Sequence, residues 1–201
     1  MPNYEQRQYA SCELRAKGGD GHEPLSLVGY AATFDGKAEI GGPKGYVETI
    51  NPAAFDRALR ENHDVTFRFN HNASFVLGRT KAGTLKLEKR DKGLWFDVTL
   101  PETQQARDLH TSVQRGDISE CSFAFTLPAD GGEYWSVKRD ASGKAYASRE
   151  LRDLNLHDVS AVTEPAYNNT KVFARSDDGE LLPMEIRSEL AAMNENVEAR
   201  V

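Results

Sequence analysis

The sequence predicts a β-rich α+β fold, with a small antiparallel β-barrel surrounded by helices and a C-terminal amphipathic helix. Three observations support this prediction. Short apolar segments with period-two alternation recur along most of the chain, separated by glycine-containing turns. Only a few segments space their apolar residues as a helix does. Near the C-terminus the composition becomes acidic, and apolar residues recur three or four positions apart.

Strand-like segments make up most of the sequence. In one of them Val65, Phe67 and Phe69 alternate with two polar residues, which indicates a strand with one buried face. The glycine-rich segment 37–45 is predicted to be a loop. The predicted strands are residues 4–16, 25–34, 46–50, 65–69, 75–79, 84–88, 93–100, 118–127, 134–137, 145–152, 154–163 and 171–174.

Three helices are predicted. Asn51 is a capping residue for the first, and Pro52 suits its first position. The second covers residues 102–115, is capped by Thr103 or Glu102, and ends at Gly116. The third follows a linker and has its apolar positions at Leu182, Ile186, Leu190, Met193 and Val197.

The length of 201 residues suits one compact domain with an appendage. We predict a domain at residues 1–175, then a linker and the C-terminal helix at residues 176–201. That helix either packs back on the domain or extends from it.

Composition excludes several classes of function. A net charge of −6 argues against nucleic acid as the main partner. No apolar run is long enough to span a membrane, and the first residues do not resemble a signal peptide, so we expect a cytoplasmic protein without a membrane partner. The two cysteines, Cys12 and Cys121, form no CxxC pair, so neither a disulfide framework nor a zinc knuckle is predicted. We predict no cofactor and no metal.

A histidine, a serine and a carboxylate occur in the order His71, Ser122, Asp158, each within or beside a predicted strand. These residue types can form a serine nucleophile with its base. Strand parity favours Ser122 over Ser119, because Ser119 shares the face of the apolar residues that must be buried. The same parity directs the thiol of Cys121 into the core. Ser122 could also be simply a polar residue on the outer face.

Two alternatives concern the other histidines. His157, next to Asp158, competes with it as the third residue of the group formed with His71 and Ser122, although strand parity places the two on opposite faces. Asp158 could instead form a surface salt bridge. His63 and His71 could suggest a metal pair, but eight residues is the wrong spacing for one helix face.

Five segments resemble the tailed-phage prohead (capsid maturation) protease family, which is similar to the herpesvirus assemblins. They keep the family's order over residues 27–175, which makes the resemblance specific. The segments are residues 29–34, residues 46–59, residues 69–72 with 76–79, residues 116–118 with 121–125, and residues 158–163 with 165–166.

The resemblance implies a serine endopeptidase with His71 as base, Ser122 as nucleophile and Asp158 in the third position, where assemblins have a histidine. It implies the assemblin fold, a small β-barrel ringed by helices. Assemblins also bind the oxyanion with an arginine-containing loop after the third member. Here residues 164–167 (Glu-Pro-Ala-Tyr) follow instead.

The resemblance further implies a biological context. The expected substrates and partners are scaffold protein or the scaffold-like extension of the major capsid protein, and the chain itself, inside the assembling prohead in the host cytoplasm. A homo-oligomer is possible, and the C-terminal helix would be a tether to the shell or a self-cleaved tail. The main alternative is a non-enzymatic capsid or scaffold-interaction domain, which needs no triad.

Overall fold

A computed structural model describes residues 4–8, 13–19, 23–42, 45–163 and 182–198 of the chain. In these residues the fold is β-rich α+β, as predicted. The strands are β1 Glu5–Gln8, β2 Arg15–Lys17, β3 Ser26–Thr33, β4 Ala38–Ile40, β5 Tyr46–Ile50, β6 Thr66–Phe69, β7 Val76–Arg79, β8 Leu85–Arg90, β9 Gly93–Thr99, β10 Glu120–Thr126, β11 Glu133–Arg139, β12 Ala145–Leu151 and β13 Asn155–Val162. The helices are α1 Asp56–Arg60, α2 Gln104–Arg115 and α3 Met184–Glu198.

The described strands form three sheets. A five-stranded sheet has the order β1-β10-β13-β6-β7, and two four-stranded sheets have the orders β11-β12-β5-β4 and β2-β3-β9-β8. None of these ladders closes on itself among the described residues, so the predicted barrel and its likeness to herpesvirus proteases are not confirmed. The prediction of wholly antiparallel pairing is wrong, because β13–β6 and β12–β5 are parallel pairs.

Three further differences concern local structure. The predicted first strand is divided into β1 and β2, and the predicted loop at residues 37–45 contains the short strand β4. The first helix begins at Asp56 rather than Pro52, because the Asn51 carboxamide oxygen accepts a hydrogen bond from the Ala53 amide in a preceding turn. The candidate strand at residues 171–174 and the predicted domain boundary at 175 lie outside the described residues.

Helix α2 ends at Arg115 as predicted, but it begins at Gln104 rather than at residue 102, with Thr103 as its cap. The Thr103 hydroxyl accepts a hydrogen bond from the Ala106 amide, which satisfies a free donor of the first turn. Gly116 ends the helix with a φ of 82°, in the left-handed region that costs glycine little. One face of α2 then packs into the main core.

The C-terminal helix α3 packs back on the domain. Leu182 and Ile186 are buried with Ile40, Tyr46 and Ala147, in a core separate from the main one. This contact covers one face of the sheet that contains β12. In the part of the chain that is described, no helix is both long and apolar enough to cross a membrane.

A buried cluster of charged residues attaches the N-terminal strand β1 to the rest of the fold. Arg7 of β1 is paired with Glu5 and Glu48, and Arg149 of β12 contacts the same two carboxylates. The four side chains are each at most 6% exposed. Burial alone would raise the pKa of Glu5, but Arg149 and Arg7 outweigh burial and hold the pKa below its ordinary value. The cluster attaches β1, which pairs with β10, to β5 and β12 of a second sheet.

Replacing Glu5 with glutamine should lower the free energy of unfolding at neutral pH by about 3 kcal/mol, because two buried guanidinium groups lose a carboxylate. The folded-state pKa of Glu5 is lowered, so its stabilisation is complete above the unfolded value of about 4.3. It is lost as the pH falls through the folded-state pKa. Urea unfolding should therefore show a difference between wild type and Glu5→Gln at neutral pH that narrows in acid.

The control is Glu88→Gln, since Glu88 is 61% exposed in a surface pair with Arg90. This variant should change the unfolding free energy by less than about 1 kcal/mol. A difference between wild type and Glu5→Gln that stays constant from neutral pH into acid would contradict the interpretation.

Candidate active site

The strand order of the five-stranded sheet brings the three predicted site residues together. Ser122 lies in β10, Asp158 lies in the adjacent β13, and His71 follows β6, which pairs in parallel with β13. His71 thereby contacts Ser122, which lies 51 positions later in the chain, and Asp158, which lies 87 positions later.

The three side chains form a continuous hydrogen-bonded chain. Ser122 Oγ lies 2.6 Å from His71 Nε2, and His71 Nδ1 lies 2.6 Å from Asp158 Oδ1. A carboxylate can only accept, so Nδ1 carries the proton that it donates to Asp158. In the neutral imidazole Nε2 is then free to accept the hydroxyl proton of Ser122. The arrangement can remove a proton from a serine hydroxyl.

The face of β10 that contains Ser122 is as buried as the opposite one. Ser122 is 4% exposed and its neighbour Ala124 is 2% exposed, whereas parity alone predicted an open outer face. Strand β1 provides part of the cover, because it pairs with β10 at Gln8 and Ser122. The Ser122 hydroxyl also donates to the carbonyl oxygen of Arg7 over 2.9 Å. His71 Nε2 and the Arg7 carbonyl oxygen therefore compete for the one hydroxyl proton of Ser122. As predicted, Cys121 faces the main core.

His71 occupies an unusual backbone position. Asn70 and His71 have φ values of 50° and 55°, so two consecutive residues other than glycine are left-handed. Each such residue costs of the order of 1 kcal/mol, and it persists only where surrounding contacts hold it. The imidazole is therefore placed by a tight turn directly after β6, rather than by the strand itself.

Asp158 has two further partners that the sequence did not indicate. Arg68 Nη1 lies 3.3 Å from Asp158 Oδ2, and the Ser160 hydroxyl donates to Oδ1 over 2.9 Å. Asp158 is only 3% exposed, so these donors satisfy carboxylate oxygens that have little access to water. Ser160 follows Asp158 by two positions and shares its face, a period-two signal that could have suggested it.

The predicted separation of His157 and Asp158 onto opposite faces is wrong. Between the pairs Ala124–Asp158 and Phe125–Leu156 the register shifts, which leaves His157 as an extra residue in a β-bulge. His157 and Asp158 therefore line the same cleft. His157 Nε2 lies 3.0 Å from the Thr126 hydroxyl. Burial lowers the pKa of His157 although the Asp158 charge opposes this, which favours a neutral imidazole.

A polar cleft of about 520 Å³ is lined by two of the three residues, His71 and Asp158, whereas Ser122 is not among its lining residues. Ala73, Thr66 and Ala124 are its small lining side chains, so there is room beside His71. An exposed ion pair between Arg79 and Asp64 also lies at this cleft. The cleft is a candidate site for an extended peptide. The remaining lining residues are Tyr4, Gln6, Arg68, His71, His157 and Asp158.

The alternative metal pair is not assembled. His63 lines a different cleft and lies 3.4 Å from Arg57 Nη1, whereas His71 contacts Asp158 and Ser122. Over the described ranges, no three His, Cys, Asp or Glu side chains are grouped as a metal site requires. Residues 164–167, which replace the assemblin oxyanion loop, lie outside these ranges.

Comparison with known proteins identifies the family. The model of the caudovirus prohead serine protease family matches residues 10–184, a range that includes His71, Ser122 and Asp158. The chain therefore belongs to this family of phage prohead proteases, and it is a serine protease.

Two other comparisons were made. Among solved structures, the bacteriophage T4 capsid assembly protease gp21 is similar at 13% identity and a TM-score of 0.49, over 82% of this chain and 99% of that one. Comparison with curated proteins gave no match.

Proposed function

We propose that Ser122 is the nucleophile of this protease, that His71 is its general base and that Asp158 orients His71. The observation that carries the proposal is the unbroken chain from Asp158 to His71 to Ser122, with 2.6 Å at each contact. General bases act from this distance range, and a base held by a third group is the usual requirement for an activated serine.

The reaction follows from these contacts. Ser122 Oγ attacks the scissile carbonyl carbon while its proton moves to His71 Nε2. Asp158 stabilises the imidazolium that forms, and His71 then gives the proton to the departing amine. Water enters, and His71 removes one of its protons as the water oxygen attacks the acyl carbonyl carbon; the ester bond to Ser122 Oγ then breaks, His71 returns that proton to Oγ, and the second product is released. Backbone N–H groups near Ser122 would stabilise the oxyanion, at about 3–4 kcal/mol per donor.

The hydrogen bond to Arg7 bears on the first step. The hydroxyl proton must lie towards His71 Nε2 when attack begins, although the Arg7 carbonyl oxygen is 2.9 Å from Oγ. The shorter contact of 2.6 Å to Nε2 favours that orientation.

We propose scaffold protein, or a scaffold-like extension of the major capsid protein, as the substrate, with the protease itself cleaved as well. Support comes from membership of the prohead protease family and from a cleft that can hold an extended peptide beside His71. Cleavage would take place inside the assembling prohead in the host cytoplasm, where these partners are concentrated. The cleft contains both acidic and basic side chains, which suits a polar peptide.

Co-expression with the major capsid protein and the scaffold protein of the same phage tests this substrate assignment. Assembled particles should contain shortened capsid or scaffold chains with the wild-type protease, and full-length chains with Ser122→Ala. Mass spectrometry of the new termini gives the cleavage site. Particles with uncut capsid and scaffold chains, formed with a protease that is active on other peptides, would contradict the substrate assignment.

A further inference from the structure

Ser160 makes more contacts within the site than any role in backbone packing requires. Its side chain is completely buried, at 0% exposure. Its hydroxyl donates to Asp158 Oδ1 over 2.9 Å and accepts the backbone N–H of His71 over 3.2 Å. Its oxygen also lies 3.3 Å from His71 Nδ1. One hydroxyl thus contacts both residues that are proposed to act on the nucleophile.

The N–H of His71 belongs to the left-handed turn at Asn70 and His71. Ala161 of β13 and Thr163, which directly follows β13, hold this turn at two further points. The Asn70 N–H donates to the carbonyl oxygen of Ala161 over 2.9 Å, and the Asn70 side-chain oxygen accepts the Thr163 N–H over 3.0 Å. Two residues of β13, and Thr163 directly after it, therefore hold a backbone conformation that is unfavourable by itself.

We propose that Ser160 is a positioning residue of this protease, which fixes the angle of the His71 ring relative to both Asp158 and Ser122. The inference rests on the proposed triad. Without the Ser160 hydroxyl, the His71 N–H in the turn loses its acceptor and Asp158 Oδ1 loses one of its two donors. The imidazole would then sample orientations in which Nε2 no longer faces Ser122 Oγ. Substrate binding in the cleft would be unaffected, because Ser160 is completely buried and does not line the cleft.

The pair Ser160→Thr and Ser160→Val isolates the hydroxyl, since the two side chains have nearly the same shape and crowd the site equally. Ser160→Val should have a kcat about 10- to 100-fold below that of Ser160→Thr, with a similar KM. The downfield proton NMR signal of the His71 Nδ1–H bonded to Asp158 should remain in Ser160→Thr and be lost or broadened in Ser160→Val. A merely structural role would not move this signal.

Ser160→Ala adds no atoms, so it tests the proposal even if both larger side chains prevent folding. It should lower kcat by a similar factor, whereas Ser148→Ala, at a 2% exposed serine of β12, should keep the wild-type kcat. Wild-type kcat and an unchanged signal in Ser160→Ala, or equal kcat values and signals for the threonine and valine variants, would overturn the proposal.

Ser122→Ala in the same assay separates this inference from the proposed function. If Ser122→Ala cleaves like wild type, the triad itself is wrong. If Ser122→Ala is inactive and Ser160→Ala is fully active, the triad stands and only the role of Ser160 is wrong.

Discussion

Replacing Ser122 with alanine is expected to lower kcat for peptide cleavage by about 10⁶-fold, to a level set by the rest of the site alone. The reason is that, among the residues that the structure describes, only the Ser122 hydroxyl is hydrogen-bonded to His71 Nε2, at 2.6 Å. The substitution removes one atom from a 4% exposed side chain, together with its hydrogen bond to the Arg7 carbonyl, so the unfolding free energy should fall by only about 1 kcal/mol. Cleavage of an unfolded protein substrate and thermal unfolding measure the two effects.

Ser119→Ala is the matched control, because Ser119 precedes β10 and is exposed. It should keep the activity of the wild-type protein. If Ser122→Ala remained active while Ser119→Ala lost activity, the choice of nucleophile by strand parity would be wrong.

Replacing Asp158 with asparagine is expected to lower kcat by about 10⁴-fold. Asp158 accepts the Nδ1 proton of His71 over 2.6 Å, and this contact leaves Nε2 without a proton. An amide in that place can donate to Nδ1, which would move the imidazole proton to Nε2, where it blocks proton transfer from Ser122. Arg68 would also lose its carboxylate partner. Steady-state kinetics should show the loss in kcat while the protein still unfolds cooperatively.

His157→Gln distinguishes the two candidates for the third position. His157 lies in the same cleft but contacts Thr126, so its replacement should lower kcat by less than about 10-fold. Comparable losses in His157→Gln and Asp158→Asn would contradict the assignment of Asp158 alone. A large loss only in His157→Gln would reverse it.

The sequence was sufficient to select the candidate triad. His71, Ser122 and Asp158 were selected by residue type, chain order, the alternation of β10 and the resemblance to the prohead protease family, and the structure places all three in contact. Helix α2 was predictable for a similar reason, because Thr103 and Gly116 determine its ends locally. The ends of α2 depend on a few neighbouring residues, which a sequence records directly, whereas the contact within the triad depends on the pairing of β10, β13 and β6.

Features that depend on pairing between distant strands could not be predicted in this way. The bulge at His157 arises from the register of β13 against β10. Because of this bulge, strand parity does not hold for His157 and Asp158, which it had placed on opposite faces. The parallel pairing of β13 with β6 likewise follows from the order of strands in the sheet. No local pattern specifies either one.

The partners of Asp158 illustrate the same limit in the site. Arg68 is separated from Asp158 by 90 positions and reaches it only because β6 and β13 are neighbours. The buried cluster around Arg7 is a second example, since charged residues are expected at the surface unless they are paired. Pairing of this kind becomes visible only when the strands are assembled.

The most direct test of the account is to locate the covalent adduct of a fluorophosphonate probe by mass spectrometry. The account predicts one adduct, on Ser122, which forms in the wild-type protein and not in His71→Ala. An adduct on another serine, or an unmodified Ser122 in a preparation that cleaves peptides and is inactivated by the probe, would contradict it.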